Sequence, residues 1–133
     1  MRLAHEARRI ARQHALFEEL RTSTRAALEQ GGGDLRRKAL HTLATSLEAH
    51  FTLEEHVQFP ALHGLHPEST AELADLVAQH HAFRQDLAAL AQQGGSDADG
   101  ARSAALAAFE RLADALRRHE DREEALLERA QID

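Results

Sequence analysis

The sequence contains no cysteine, no tryptophan and no tyrosine. Without cysteine there can be no disulfides, no thiolate metal site and no cysteine nucleophile. Five phenylalanines make up the whole aromatic content, 4% of the chain, while alanine and leucine dominate its hydrophobic 43%. That balance belongs to a helical bundle rather than to a sheet protein. No apolar run approaches the roughly 20 residues needed to span a bilayer. The opening MRLAHEARRIARQH lacks the continuous apolar core of a signal peptide. A soluble, cytoplasmic protein is therefore expected. The net charge is −6 with ten histidines counted as neutral. No nucleic-acid or membrane partner is expected from such a surface. Basic pairs such as Arg8–Arg9 and Arg117–Arg118 read as solvated helix faces. Among motifs, no serine–histidine–acid order, phosphate loop or sugar-hydrolase carboxylate pair stands out.

What the chain does contain is regular. Its 133 residues suit one domain, 1–133, with enough length to bury a real core. Three breaks divide it. GGGD at 31–34 is a stop followed by an N-cap at Asp34. Pro60 and Pro67 bracket ALHGLH, read as a loop, after which Ser69 and Glu72 form a capping box. QQGGSDADG at 92–100 is polar and flexible. The spacing predicts helices over about 2–29, 35–59, 70–92 and 98–130, and the short breaks favour an all-α, antiparallel up-down-up-down four-helix bundle. A long coiled coil is the weaker reading, because the glycine-rich breaks would interrupt it.

Each predicted helix carries one apolar stripe. The second reads Leu40, Leu43, Leu47, His50, Glu54, Val57; the third Leu73, Leu76, His80, Phe83, Leu87, Leu90. In the fourth it is Phe109, Leu112, Leu116, His119, Glu123, Leu126. The first is looser: Leu3, Ala7, Ile10, His14, Phe17, with Leu20 slightly off phase. Every stripe contains a histidine, and two contain a glutamate four residues later. At about 1.5 Å rise per residue His14, His50 and His80 fall at one height, and His119 can join them. Buried histidines and glutamates are costly without partners. A single stripe histidine is more often a satisfied core group than a ligand. One per helix, with H-x-x-x-E repeated, points to metal, since imidazole nitrogen and carboxylate oxygen suit iron, manganese or zinc. Two facing H-x-x-x-E pairs can hold two ions, a known use of bundle cores.

The pattern H…HFTLEE…H…HEDREE, with His14 ahead of residues 50–55 and His80 ahead of residues 119–124, resembles the hemerythrin-like (HHE cation-binding) family over nearly the whole chain. The resemblance implies a non-haem, oxo- or hydroxo-bridged di-iron centre, with zinc or manganese as lesser alternatives. It implies His14, His50, His80 and His119 as terminal ligands and Glu54 and Glu123 as bridging carboxylates. Two departures stand out. Oxygen-carrying hemerythrins have a further histidine one turn before the residue matching His80, where this chain has Leu76. Their last helix follows its histidine with an aspartate five residues on, where this chain has Glu123 at four. One metal would then have fewer nitrogen ligands and a more open position. That disfavours stable O₂ carriage and favours reaction with peroxide, nitric oxide or O₂.

Phase selects His80 over His81, which falls on a flank. Glu55 and Glu124 point off the core, exposed or behind the ligands. His5, His56, His63 and His66 read as solvated rather than as a second site, and His41 has no evident partner. Three functions are compatible: a reactive di-iron protein with a small diatomic or peroxide ligand, an iron- or oxygen-sensing or iron-storage module without turnover, and a helical interaction protein with structural zinc. A sensor would need a separate protein partner, since no second domain is expected.

Overall fold

The computed structural model describes residues 2–132, and side chains at residue 5 and residues 8–130. The structure contains helices α1 (Arg2–Gln30), α2 (Gly33–Leu53), α3 (Phe59–Leu65), α4 (Thr70–Gln93) and α5 (Ala101–Ile132). A single π-helical stretch, Glu54–Gln58, joins α2 to α3 without a turn, so the bundle has four long rods. α1 packs on α2 and α5, and α4 packs on the same two neighbours, in the antiparallel up-down-up-down order. Among the described residues there is no strand. Among the same residues no helix is long and apolar enough to cross a membrane.

The stripes of the third and fourth rods are buried throughout, from Leu73 to Leu90 and from Phe109 to Leu126. The second rod departs after Glu54. The Phe59 N–H bonds to the Glu54 carbonyl, five residues back, so the turn is wider than α. One extra residue per turn shifts the phase: Val57, expected inside, is 47% exposed, while Gln58 and Leu62 are buried. The same wide turn accommodates Pro60. A proline in a regular helix clashes with the carbonyl four residues back, but here it sits at the start of a helix re-formed after the register change. ALHGLH is consequently mostly helix, not loop.

Both expected caps are replaced. α2 begins at Gly33 with Gly32 as its cap, and Asp34 lies in the first turn, paired with Arg37. Ser69 closes a 3₁₀ turn with φ −82° and ψ 0° and makes no capping bond. An N-cap side chain reaches its target from extended backbone, which the 3₁₀ turn denies it. Glu72 bonds Arg129 instead, at 2.7 Å. α5 begins at Ala101, three residues later than expected, after Gly100 at φ 78°. On the first rod, Leu3 and Ala7 lie outside the described side chains. Beyond His14 its buried face runs through Arg21, Thr24 and Leu28, leaving Phe17 and Leu20 partly covered.

One buried cation ties the loops together. Arg36, 3% exposed, donates to the carbonyls of Gly94 at 2.7 Å, Gly31 at 2.9 Å and Ser96 at 2.8 Å. The two glycine-rich segments meet there so closely that a Cβ on Gly33 would lie 2.7 Å from the Gly95 carbonyl oxygen. Arg36→Ala should destabilise the fold by about 2–4 kcal/mol, because it strands acceptors that water reaches poorly. Denaturant unfolding reads this loss. The substitution lies at the end of the bundle away from His14, His50, His80 and His119, so metal content should not change.

The core divides in two. A larger apolar cluster around Leu43, Leu47, Phe109 and Leu112 fills the end with the glycine loops. A smaller one around Ile10, Leu62, Leu76 and Leu126 fills the other. Between them lies a layer of histidine and glutamate.

Candidate metal centre

His14 of α1, His50 of α2, His80 of α4 and His119 of α5 each project from the middle of a rod, and all four are at most 6% exposed. Glu54, at the first position of the π turn, is 0% exposed, and Glu123 on α5 is 2% exposed. Glu54 Oε1 lies 3.1 Å from Nε2 of both His50 and His80. Glu123 Oε1 is 2.8 Å from His119 Nε2, and the Nε2 atoms of His80 and His119 are 3.1 Å apart.

These six residues form two groups able to hold a cation: Glu54, His80, His119 and Glu123, and His14, His50 and Glu123. Glu123 belongs to both. Within each group the candidate donor atoms lie within 4.8 Å of one another. With the ring protons on Nδ1, the short Nε2–oxygen contacts set acceptor against acceptor, and His14 Nε2, His50 Nε2 and all four oxygens of Glu54 and Glu123 are buried without a satisfied hydrogen bond. Buried polar atoms in folded proteins are nearly always paired. Six unsatisfied atoms converging in one layer, all nitrogen or oxygen, are a donor set that suits a metal cation.

Outside the layer every imidazole is held by its other nitrogen. Nδ1–H of His14 donates to Glu124 at 2.8 Å, that of His50 to Gln13 at 3.0 Å, that of His80 to Glu55 at 2.6 Å and that of His119 to Gln79 at 2.5 Å. Glu55 is itself held by Arg84 at 3.0 Å, and Arg84 also bonds Glu48 at 2.7 Å. Phenylalanines fix the ring planes. His80 stacks on Phe51 with centroids 4.2 Å apart, Phe17 meets His50 edge-on at 4.9 Å, and Phe83 meets His119 edge-on at 5.3 Å. The few aromatic residues of the chain are thus concentrated around its histidines.

Electrostatics favour ligand-ready protonation states. Burial works to raise the Glu54 carboxyl, but His50 and His80, once protonated at Nε2 as well, overcome it and hold Glu54 down at about 2. Burial, aided by neighbouring His80, pushes His119 down to about 3. Burial also lowers His14, against the opposing pull of Glu124. An ionised carboxylate and neutral imidazoles are the forms that bind a metal.

His81 is exposed, as are His5, His41, His56 and His63, and half-buried His66 bonds Glu68 at 3.0 Å. Among the described residues, both cation-capable groups lie in the central layer. Sequence reasoning missed Gln13 and Gln79 and left Glu55 and Glu124 open between exposed positions and places behind the ligands; the structure puts both behind histidines. Their signal was present, since each glutamine immediately precedes a layer histidine and each glutamate immediately follows a layer glutamate.

No curated protein and no solved structure matches the chain. The description "Hemerythrin HHE cation binding domain" matches over residues 5–130, almost the full length. With that match and a buried histidine–glutamate layer able to hold cations, the chain belongs to the hemerythrin HHE cation-binding domain family.

Proposed function

We propose that the layer holds two iron ions, with His14 and His50 terminal on one and His80 and His119 terminal on the other. Glu123 is shared between them, and Glu54 reaches from His80 toward His50. The observation that carries this reading is the set of six unsatisfied, inward-facing donor atoms between two apolar clusters. Iron held there supplies redox chemistry toward O₂, peroxide or nitric oxide. The chain orients the donors, excludes bulk water and admits only small molecules. A groove of about 310 Å³ between α1 and α2, with Leu16, Phe17 and Leu53 on its walls, reaches His50 and Gln13. Apolar Leu76, 0% exposed, packs among Leu62, Leu73 and Leu126 and offers no additional nitrogen donor. With two histidines for each ion, reaction with peroxide or nitric oxide suits the site better than stable O₂ carriage.

The test is metal content on protein produced with iron and purified aerobically, read with the near-ultraviolet spectrum. Lacking tryptophan and tyrosine, the chain absorbs little there, so iron charge-transfer absorption stands out. About two irons per chain with that absorption, followed by peroxide or nitric oxide consumption, is the expected result. Tightly held zinc without the absorption would overturn the iron reading.

A second reading, a sensing or storage module without turnover, is favoured by one feature. Two buried carboxylates depend on a cation to satisfy them, so metal occupancy is strongly coupled to bundle stability. Two irons without peroxide or nitric oxide consumption would select it.

A further inference from the structure

The layer is built from two copies of one short pattern. Gln13–His14 on α1 and Gln79–His80 on α4 are the same dipeptide. His50 to Glu55, spanning the end of α2 and the π turn, and His119 to Glu124 on α5 share the frame H-x-x-x-E-E. Each copy is a helical hairpin, and the four outer hydrogen bonds connect the copies in an ordered way. The glutamines act within their own copy: Gln13 holds His50, and Gln79 holds His119. The glutamates cross over: Glu124 of the second copy holds His14 of the first, and Glu55 of the first holds His80 of the second. Each cation-capable group therefore has one histidine backed by an amide of its own hairpin and one backed by a carboxylate of the other.

We propose that Gln13, Glu55, Gln79 and Glu124 are positioning residues that serve the two metal positions in crossed pairs. Gln13 and Glu124 serve the position at His14 and His50; Gln79 and Glu55 serve the position at His80 and His119. Chain order suggests the opposite, because Glu124 adjoins His119's partner Glu123, and Glu55 adjoins Glu54 beside His50. The physical argument is the tautomer. An acceptor on Nδ1–H keeps the proton there and leaves the Nε2 lone pair facing the interior. A carboxylate acceptor does this more strongly than an amide and adds basicity to the ring. Since each position receives one of each, the crossing makes the two positions chemically alike despite their different helices. It also requires both hairpins to be docked before either position is complete.

The inference rests on the two-metal proposal, and the experiment separates the two. The full chain is titrated with zinc, a diamagnetic probe, in competition with a chelator, and its imidazole nitrogens are followed by ¹⁵N NMR. Wild type should take up two equivalents. Each of Gln13→Ala, Glu124→Ala, Gln79→Ala and Glu55→Ala should weaken one equivalent by about 10–100-fold and spare the other. The double variant at Gln13 and Glu124 should keep one tight equivalent, and the double variant at Gln13 and Glu55 should keep none. Glu124→Ala should move the His14 Nδ1 signal and leave that of His119 in place. Glu124→Gln, which retains an acceptor, should restore both the signal and most of the affinity, a rescue that loss of bulk packing would not show. One tight equivalent retained by the double variant at Gln13 and Glu55, with both lost at Gln13 and Glu124, overturns the crossed pairing alone. A wild type that takes up fewer than two equivalents overturns the two-metal proposal, and this inference with it.

Discussion

Replacing Glu123 with leucine should empty the bundle of both metal ions and at the same time leave the metal-free protein more stable than wild type. The two effects have one cause. Glu123 is common to both cation-capable groups, so its loss removes an oxygen donor from each. Residues that only orient a ligand are worth about 10–100-fold in metal affinity, and removing a shared ligand should exceed that for both ions. Without metal, however, both Glu123 oxygens are buried and unsatisfied. A buried polar group in that condition costs about 1–3 kcal/mol, and a charged one more. Leucine has similar bulk and no such cost, and substitutions of this kind for buried charge are often stabilising. Metal-free Glu123→Leu should therefore gain about 1–3 kcal/mol over metal-free wild type. Free metal at about a thousand times its dissociation constant should stabilise wild type by about 4 kcal/mol and leave the variant unmoved.

Glu54 should behave differently. Its carboxylate lies with His80 and His119, and reaches the other group only through the 3.1 Å approach of Oε1 to His50 Nε2. Glu54→Ala should lose the His80–His119 ion and weaken the other, and the double alanine variant should bind neither. Metal analysis and the near-ultraviolet absorption check both. A double variant that keeps full iron and its spectrum would show that these carboxylates are not ligands. A Glu123→Leu protein that loses metal and is also several kcal/mol less stable when metal-free would make Glu123 a structural residue instead.

The bundle and the convergence of the layer were legible because α4 and α5 keep one helical phase from end to end. Leu73 through Leu90, and Phe109 through Leu126, could be read as stripes, and equal distances from the chain reversals put the histidines at one level. Where phase breaks, the reading breaks. The π turn at Glu54–Gln58 exchanges Val57 for Gln58 on the inner face, and single-helix periodicity has no term for an inserted residue. Pro60 looked like a terminator because its helix was taken as regular. Asp34 and Ser69 were placed at caps by residue type alone, whereas the backbone entering each helix comes from Gly32 and from the 3₁₀ turn after Pro67. Arg21 and Arg36 are buried against expectation for arginine. The carbonyls that receive them belong to Ala113, and to Gly31, Gly94 and Ser96. Most of these are far away in sequence, so no local pattern announces the burial. The outer acceptors lie between these cases. Their repetition was written in the chain, but only the ring orientations show what they hold.

Metal-free protein should have nearly constant stability from about pH 6.5 to about pH 4.5 and then lose it steeply, and Glu120→Gln should turn that plateau into a slope. The signs follow from three groups. His119 is pushed down to about 3 by burial and by His80, against the pull of Glu54. Between about pH 3 and its ordinary value of 6.5, the unfolded chain binds a proton that the folded one does not. His119 alone therefore makes stability fall as pH falls through that window, by up to about 1.4 kcal/mol per pH unit. Burial in α5 pushes Glu120 up to about 7, opposed by Arg21 and reinforced by Glu124 and Asp121. Between its ordinary value of 4.5 and about 7, the folded chain holds the extra proton, and stability rises as pH falls. The two trends oppose each other down to about pH 4.5, and depressed His14 acts in the same direction as His119. Below that, Glu120 no longer contributes, and Glu54, held at about 2 by His50 and His80, begins to be protonated in the unfolded chain first. His119 and Glu54 then act in the same direction. Removing the Glu120 carboxyl deletes the opposing trend, so the variant should lose stability continuously from about pH 6.5. Denaturant unfolding of chelator-treated protein across this range distinguishes the two curves, and parallel profiles for wild type and Glu120→Gln would rule out the assignment of the plateau to Glu120.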